Sequence, residues 1–184
     1  MAGAKIVTRY NLILHVEALR MRMHDELKSR LFLYIPPVEA KFYDVKQPFG
    51  SDVENVFQDA ISDIEESGDC IAVGRSTAAV FHLMRAMERA TQAFGTKLGV
   101  TNAAEKNWQN ILDELNKAIK GLPDYTPADK AKKSEYAIAS ANLFNVKLAW
   151  RNPVMHPKAS YTPEESVKIY DKAKTFMGHL ASIL

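Results

Sequence analysis

Leu12, Val16, Leu19, Met23, Leu27 and Leu31 recur at steps of three and four residues, with Arg20, Arg22, Asp25 and Lys28 between them. At 3.6 residues per turn such positions share one face, so the spacing predicts an amphipathic helix over residues 8–31. The step also resembles a short heptad seam, which docks on its own chain or on a second copy. Residues 31–35 and 38–43 are apolar, β-branched or aromatic around Pro36-Pro37, which reads as an extended connector or a small hairpin. Residues 1–50 thus form an N-terminal helix and connector, and residues 51–184 a second region.

That region is a succession of helix signals. Ser51 followed by Glu54 reads as a capping box, opening a helix with Val53, Phe57, Ile61 and Ile64 inward and Gly68-Asp69 at its end. A long helix is expected from Cys70 to about Leu98, with Val73, Val80, Met84, Met87, Phe94 and Leu98 on one side and Arg75, His82, Arg85 and Arg89 on another. The next carries Trp108, Ile111, Leu112, Leu115 and Ile119 and stops at Gly121-Leu122-Pro123. Thr126-Pro127-Ala128-Asp129 places Thr at the N-cap, Pro at the first helical position and Asp at the third. The helix it starts should reach Trp150. Thr162-Pro163-Glu164-Glu165 repeats that grammar before a last stripe of Val167, Tyr170, Ala173, Met177, Leu180 and Leu184. The fold class is all-α, a helical bundle with an N-terminal helical extension.

Composition narrows the functional classes. In 184 residues, 24 Lys+Arg against 22 Asp+Glu give a net charge of +2, too small for nucleic-acid binding by bulk charge, so any such contact needs a local patch. One cysteine, Cys70, closes no intrachain disulfide and builds no zinc site alone, which points to a reducing, cytoplasmic setting. Charged residues through residues 1–31 interrupt any signal-peptide core, and no apolar run approaches a membrane span. His15, His24 and His179 have no partner at ligand spacing, and HExxH, paired-Cys, GxGxxG and Walker patterns are missing from the sequence, so no metal and no cofactor are expected.

The connector before the last helix reads Trp150-Arg151-Asn152-Pro153-Val154-Met155-His156-Pro157-Lys158. Pro153 and Pro157 are expected to push Asn152 and His156 out of helical geometry. In an unbroken helix, residues five apart diverge by about 140°; a break after Arg151 would let it converge with His156. A planar guanidinium beside an imidazole suits phosphodiester chemistry without a metal. The imidazole moves the proton of a 2′-hydroxyl or a leaving oxygen, and the guanidinium neutralises charge at phosphorus. Asn152 would orient either group. The same residues also suit a plain helix C-terminus, with Arg151 at the negative dipole end and His156 capping a carbonyl. His82, Arg85 and Arg89, at i, i+3 and i+7, together with Lys158, are candidate RNA or phosphate contacts; such a row is more often a solvated face, here with Glu88 compensating the arginines.

Arg151-Asn152-Pro153-Val154-Met155-His156 resembles the Arg-Asn-x-x-x-His signature of HEPN domains, in its usual place ahead of the last bundle helix. Residues 70–88 also resemble the long helix of uncharacterised bacterial HEPN-like proteins. The resemblance covers about residues 51–184. It implies a homodimer with two motif copies facing one cleft, and a metal-independent endoribonuclease of toxin–antitoxin, phage-defence or stress systems. Arg151 and His156 would be catalytic, Asn152 would support them, and an antitoxin or other protein would be the regulator. Other family members have lost activity or bind nucleotides. A non-catalytic module binding a phosphate ligand or a partner protein therefore stands beside the ribonuclease, as does a structural dimer joined by the N-terminal helix.

Overall fold

A computed structural model describes residues 8–157 and 159–184. Lys158, one of the expected phosphate contacts, lies outside the described residues. The chain divides into two compact units, one up to Tyr34 and one from Ile35 to Leu184. Among the described residues there is no strand, and the architecture is all-α.

In the first unit α1 (Arg9–Leu27) is N-capped by the Thr8 hydroxyl, which accepts from the Asn11 amide. None of its residues is buried, and Leu12, Val16, Leu19 and Met23 are all more than half exposed. The helix forms, but its apolar residues are not gathered on one face as expected, since Ile13, Leu14 and Met21 lie off the expected stripe.

The second unit opens with α2 (Pro37–Ala40), a single turn with Pro37 at its first helical position. Residues 31–36 form no helix and Pro36 is extended, whereas the expected second extended piece or hairpin strand is a helical turn: Pro lacks an N–H for a strand ladder, and its fixed φ suits a helix start. Residues 35–50 pack on the bundle, with the Phe42 and Phe49 rings edge-on to Tyr170 at 5.4 and 5.0 Å. Burial pushes the Tyr170 phenol up to about 12, with Asp171 acting the same way. The folded pKa exceeds the unfolded value of about 10, so this contribution to stability is whole below pH ~10 and is lost as pH rises toward 12. Tyr170→Phe is therefore expected to flatten the decline of the urea midpoint between pH 10 and 12; an unchanged slope would contradict it.

α3 (Ser51–Val56) begins where the pattern placed a helix, by a different device. Its N-cap is Gly50 at φ +94°, and no capping box forms at Ser51 because Glu54 is turned inward and buried. The helix breaks at Phe57, and a 3-10 turn over Gln58–Ala60 leads into α4 (Ile61–Ala72).

The largest difference from the sequence pattern concerns where α4 stops. Gly68-Asp69 does not end it. Gly68 lies inside the helix, where a Cβ would come within 2.9 Å of the Phe42 carbonyl oxygen, so glycine serves close approach there. The stop is Gly74, at φ +72°. Its N–H donates to the Ile71 carbonyl at 3.0 Å and the Arg75 N–H to the Cys70 carbonyl at 2.7 Å, the paired bonds of a Schellman cap. Cys70 consequently belongs to α4, and α5 (Ser76–Lys97) turns back alongside it.

α5 is the central helix, with Ala79, Val80, Leu83, Ala86, Ala90 and Phe94 sealed from solvent. α4, α6 (Trp108–Gly121) and α9 (Pro163–Ile183) pack around it, and α7 (Pro127–Val146) lies against α6. Thr126 and Thr162 are the N-caps at the two expected helix starts, and each closes a capping box with Asp129 or Glu165. No helix among the described residues is long and apolar enough to cross a membrane.

Candidate functional site

The motif sits where α7 changes pitch. Beyond Val146 the chain takes a π-helical turn over Lys147–Arg151, and the Asn152 amide donates back five residues to the Lys147 carbonyl. A short α8 (Asn152–Val154) follows directly. Pro153 therefore does not break the helix. It brings no N–H, and in an α-helical register its ring would press on the carbonyl four residues back; the wider turn gives it room. Asn152 is correspondingly helical, at φ −65° and ψ −48°, contrary to the expected push away from helical geometry. The chain leaves the helix only after Val154, where the His156 amide donates to the Pro153 carbonyl at 2.9 Å.

Arg151 and His156 meet different surroundings. The Arg151 side chain is about a quarter exposed, and its Nη2 stands 3.8 Å from Glu88 Oε2 on α5. Its Nε is buried without a hydrogen-bond acceptor. A buried donor left unmade is costly, so this guanidinium holds one long ion pair and an unused bonding direction. His156 is exposed. No hydrogen bond or ion pair among the described residues joins it to Arg151. The connector that carries it is tied down further along, where the Tyr161 amide donates to Thr77 Oγ1 on α5 at 3.1 Å. Asn152 is half-buried.

The row on α5 is divided between two acids. His82 Nδ1 lies 2.8 Å from Asp63 Oδ1, and Arg85 Nε 3.3 Å from Asp63 Oδ2. Asp63, on α4, is 5% exposed, so it is a buried carboxylate that gathers two of the four expected phosphate contacts. Arg89 is exposed and donates from Nη1 to Gln92 Oε1 at 3.3 Å. Arg85, Glu88, Arg89 and Gln92 line a shallow depression of about 190 Å³. Glu88 thus stands between Arg89 on its own helix and Arg151 from the motif, and brings the motif's guanidinium to the edge of the basic row.

Asp63 and Glu66 have no place among the residues singled out from the sequence. Their signal is the spacing 63, 66, 70 on one helix, which becomes visible only once α4 is known to run to Ala72. It places Glu66 and Cys70 opposite His82, with a ligand atom of each within 4.8 Å of the others. Burial pushes the Cys70 thiol up, with Glu66 adding to that and Arg75 opposing it.

No protein-family model, curated protein or solved structure matches the chain. Fold and side-chain geometry define its class on their own: an all-α bundle whose central helix sets a basic row beside an Arg-Asn-x-x-x-His helix end.

Removing the charge of Asp63 leaves the His82 ring and the Arg85 guanidinium without their shared partner. Asp63→Asn is expected to lower stability by about 1–3 kcal/mol, most of it from the shielded His82 contact, since the exposed Arg85 arm is weakened by solvent. Urea unfolding measures this, and a loss equal to that of Arg85→Ala alone would show the His82 contact to be idle.

Proposed function

We propose that the protein is a metal-independent endoribonuclease of HEPN type, working as a homodimer. The observation that carries the reading is the end of the π turn, which offers a guanidinium with an unused buried donor and, five residues on, an exposed imidazole. His156 takes the proton of a ribose 2′-hydroxyl. The freed oxygen attacks the adjacent phosphorus, Arg151 neutralises the added negative charge, and the 5′-oxygen departs with a proton, leaving a 2′,3′-cyclic phosphate. The step needs a base on one side of the phosphorus and an acid on the other, and each chain supplies one motif imidazole. A cleft shared by two copies supplies both. Arg85 and Arg89 add contacts to the RNA backbone, and Asn152 orients the phosphate.

The test is cleavage of varied RNAs in EDTA by wild type, Arg151→Ala and His156→Ala. Cyclic-phosphate products from the wild type alone are expected; equal cutting by the variants, or none by folded wild type, rejects the assignment. The ion pair of Arg151 with Glu88 favours a second reading, in which the same groups hold a phosphate-bearing ligand without chemistry. Thermal stabilisation by nucleotides with no cleavage would select it.

A further inference from the structure

We propose that Glu66, Cys70 and His82 form a binding site for a transition-metal ion of the Zn2+ class that staples α4 to α5. The three lie on facing turns of the two helices, with Glu66 and Cys70 four residues apart on α4 and His82 on α5, and their ligand atoms are mutually within 4.8 Å. Cys70 Sγ stands 3.9 Å from Glu66 Oε1. Zinc bonds of about 2.3 Å to sulfur and 2.1 Å to oxygen set those atoms roughly 3.6 Å apart in a tetrahedron, so small rotations of side chains close the site.

A second observation concerns the imidazole. A histidine that binds a metal usually gives its other ring nitrogen to a carboxylate, which fixes the tautomer and aims the ring. Asp63, buried on α4, holds His82 Nδ1 at 2.8 Å and leaves Nε2 for an ion. One nitrogen, one sulfur and one carboxylate oxygen suit Zn2+ or Co2+, whereas Mg2+ and Ca2+ take oxygen ligands. Glu66 is exposed, so the fourth position faces solvent and takes a water. The site uses none of Arg151, Asn152 or His156 and stands independently of the ribonuclease reading.

Tag-free, reduced full-length protein titrated with Co2+ tests the proposal. One equivalent should produce a thiolate-to-cobalt charge-transfer band and the visible bands of a tetrahedral ion, and Zn2+ should displace it. Cys70→Ser should abolish the charge-transfer band, and Glu66→Gln, at an exposed position that leaves folding intact, should weaken Zn2+ in competition with a chromophoric chelator by at least tenfold. Asp63→Asn should cost about 10–100-fold in affinity. Zn2+ should raise the Tm of the wild type and leave that of Cys70→Ser unmoved. Failure of the wild type to develop the thiolate band, or Zn2+ affinity unchanged in both Cys70→Ser and Glu66→Gln, overturns the assignment. RNA cleavage by Glu66→Gln at the wild-type rate would separate the fate of this site from that of the motif.

Discussion

Alanine in place of His156 is expected to lower RNA cleavage by about 10²–10⁴-fold, the usual contribution of a positioned general acid or base. His156 is exposed, so its removal leaves the core intact, and an unchanged urea midpoint should accompany the lost activity. Arg151→Ala should cost about 10²–10³-fold, as expected when one preorganised donor to a developing charge is removed. Arg151→Lys separates charge from shape. Lysine keeps the charge and loses the planar fork with its Nε donor, so rescue should be slight if the guanidinium geometry matters. Single-turnover cleavage at saturating enzyme reads these losses without interference from RNA affinity. Glu88→Gln is the informative neighbour: freeing Arg151 from its ion pair should tighten RNA binding while leaving that single-turnover rate nearly unchanged. Full activity in His156→Ala would remove the imidazole from the mechanism, and with it the assignment.

The second large effect is structural. Phe94→Ala is expected to destabilise the bundle by about 3–5 kcal/mol, a substantial share of the ~5–15 kcal/mol that holds a typical domain together. Phe94 is sealed from solvent near the end of α5, and its ring meets Tyr136 of α7 edge-on at 5.4 Å. Tyr136 in turn donates from its hydroxyl to the Ile183 carbonyl at the end of α9. Truncation would open a cavity between three helices, and the tight packing beside it, where a Cβ added at Gly95 would come within 3.1 Å of Ile111 and 3.2 Å of Ala103, leaves little freedom to collapse. Leu19→Ala on α1 is the control. Leu19 is 59% exposed, so its loss should fall within about 0.5 kcal/mol in the monomer. Urea midpoints at one low protein concentration distinguish the two; equal shifts would mean that α1 is held by a partner in solution.

Those two leucine and phenylalanine positions show how far an apolar stripe can be read. The three- and four-residue steps of α1 and α5 look alike in sequence, but periodicity says nothing of what lies opposite, and on α1 Ile13, Leu14 and Met21 spread apolar surface beyond the expected face. α5 is enclosed by α4, α6 and α9, while no residue of α1 is buried. The starts of α7 and α9 were legible to the residue, because Thr126 with Asp129 and Thr162 with Glu165 satisfy one another within a single turn. The similar pair at Ser51 and Glu54 formed no box, because burial claimed the Glu54 side chain.

The candidate site was legible only in part. Arg151, Asn152 and His156 stood out by type and spacing, but their geometry did not, since the expected break at Pro153 was absorbed by a π turn that keeps Asn152 helical. Asp63 was invisible for a related reason. With a helix end assigned to Gly68, Cys70 and His82 fall on one continuous helix, about 18 Å apart at 1.5 Å per residue. With the end at Gly74 they face each other across a hairpin.

What the sequence determined by itself is what short range can enforce: the all-α class, the caps of α7 and α9, and the residue types of the motif. Tertiary structure decided which glycine stops a helix, whether a proline bends one, and which charges meet. Gly68 and Gly74 carry the same permissive backbone. The Phe42 carbonyl crowds the first into close packing, while the left-handed turn at the second folds α5 back onto α4, and it is this packing that brings His82 and Arg85 to Asp63.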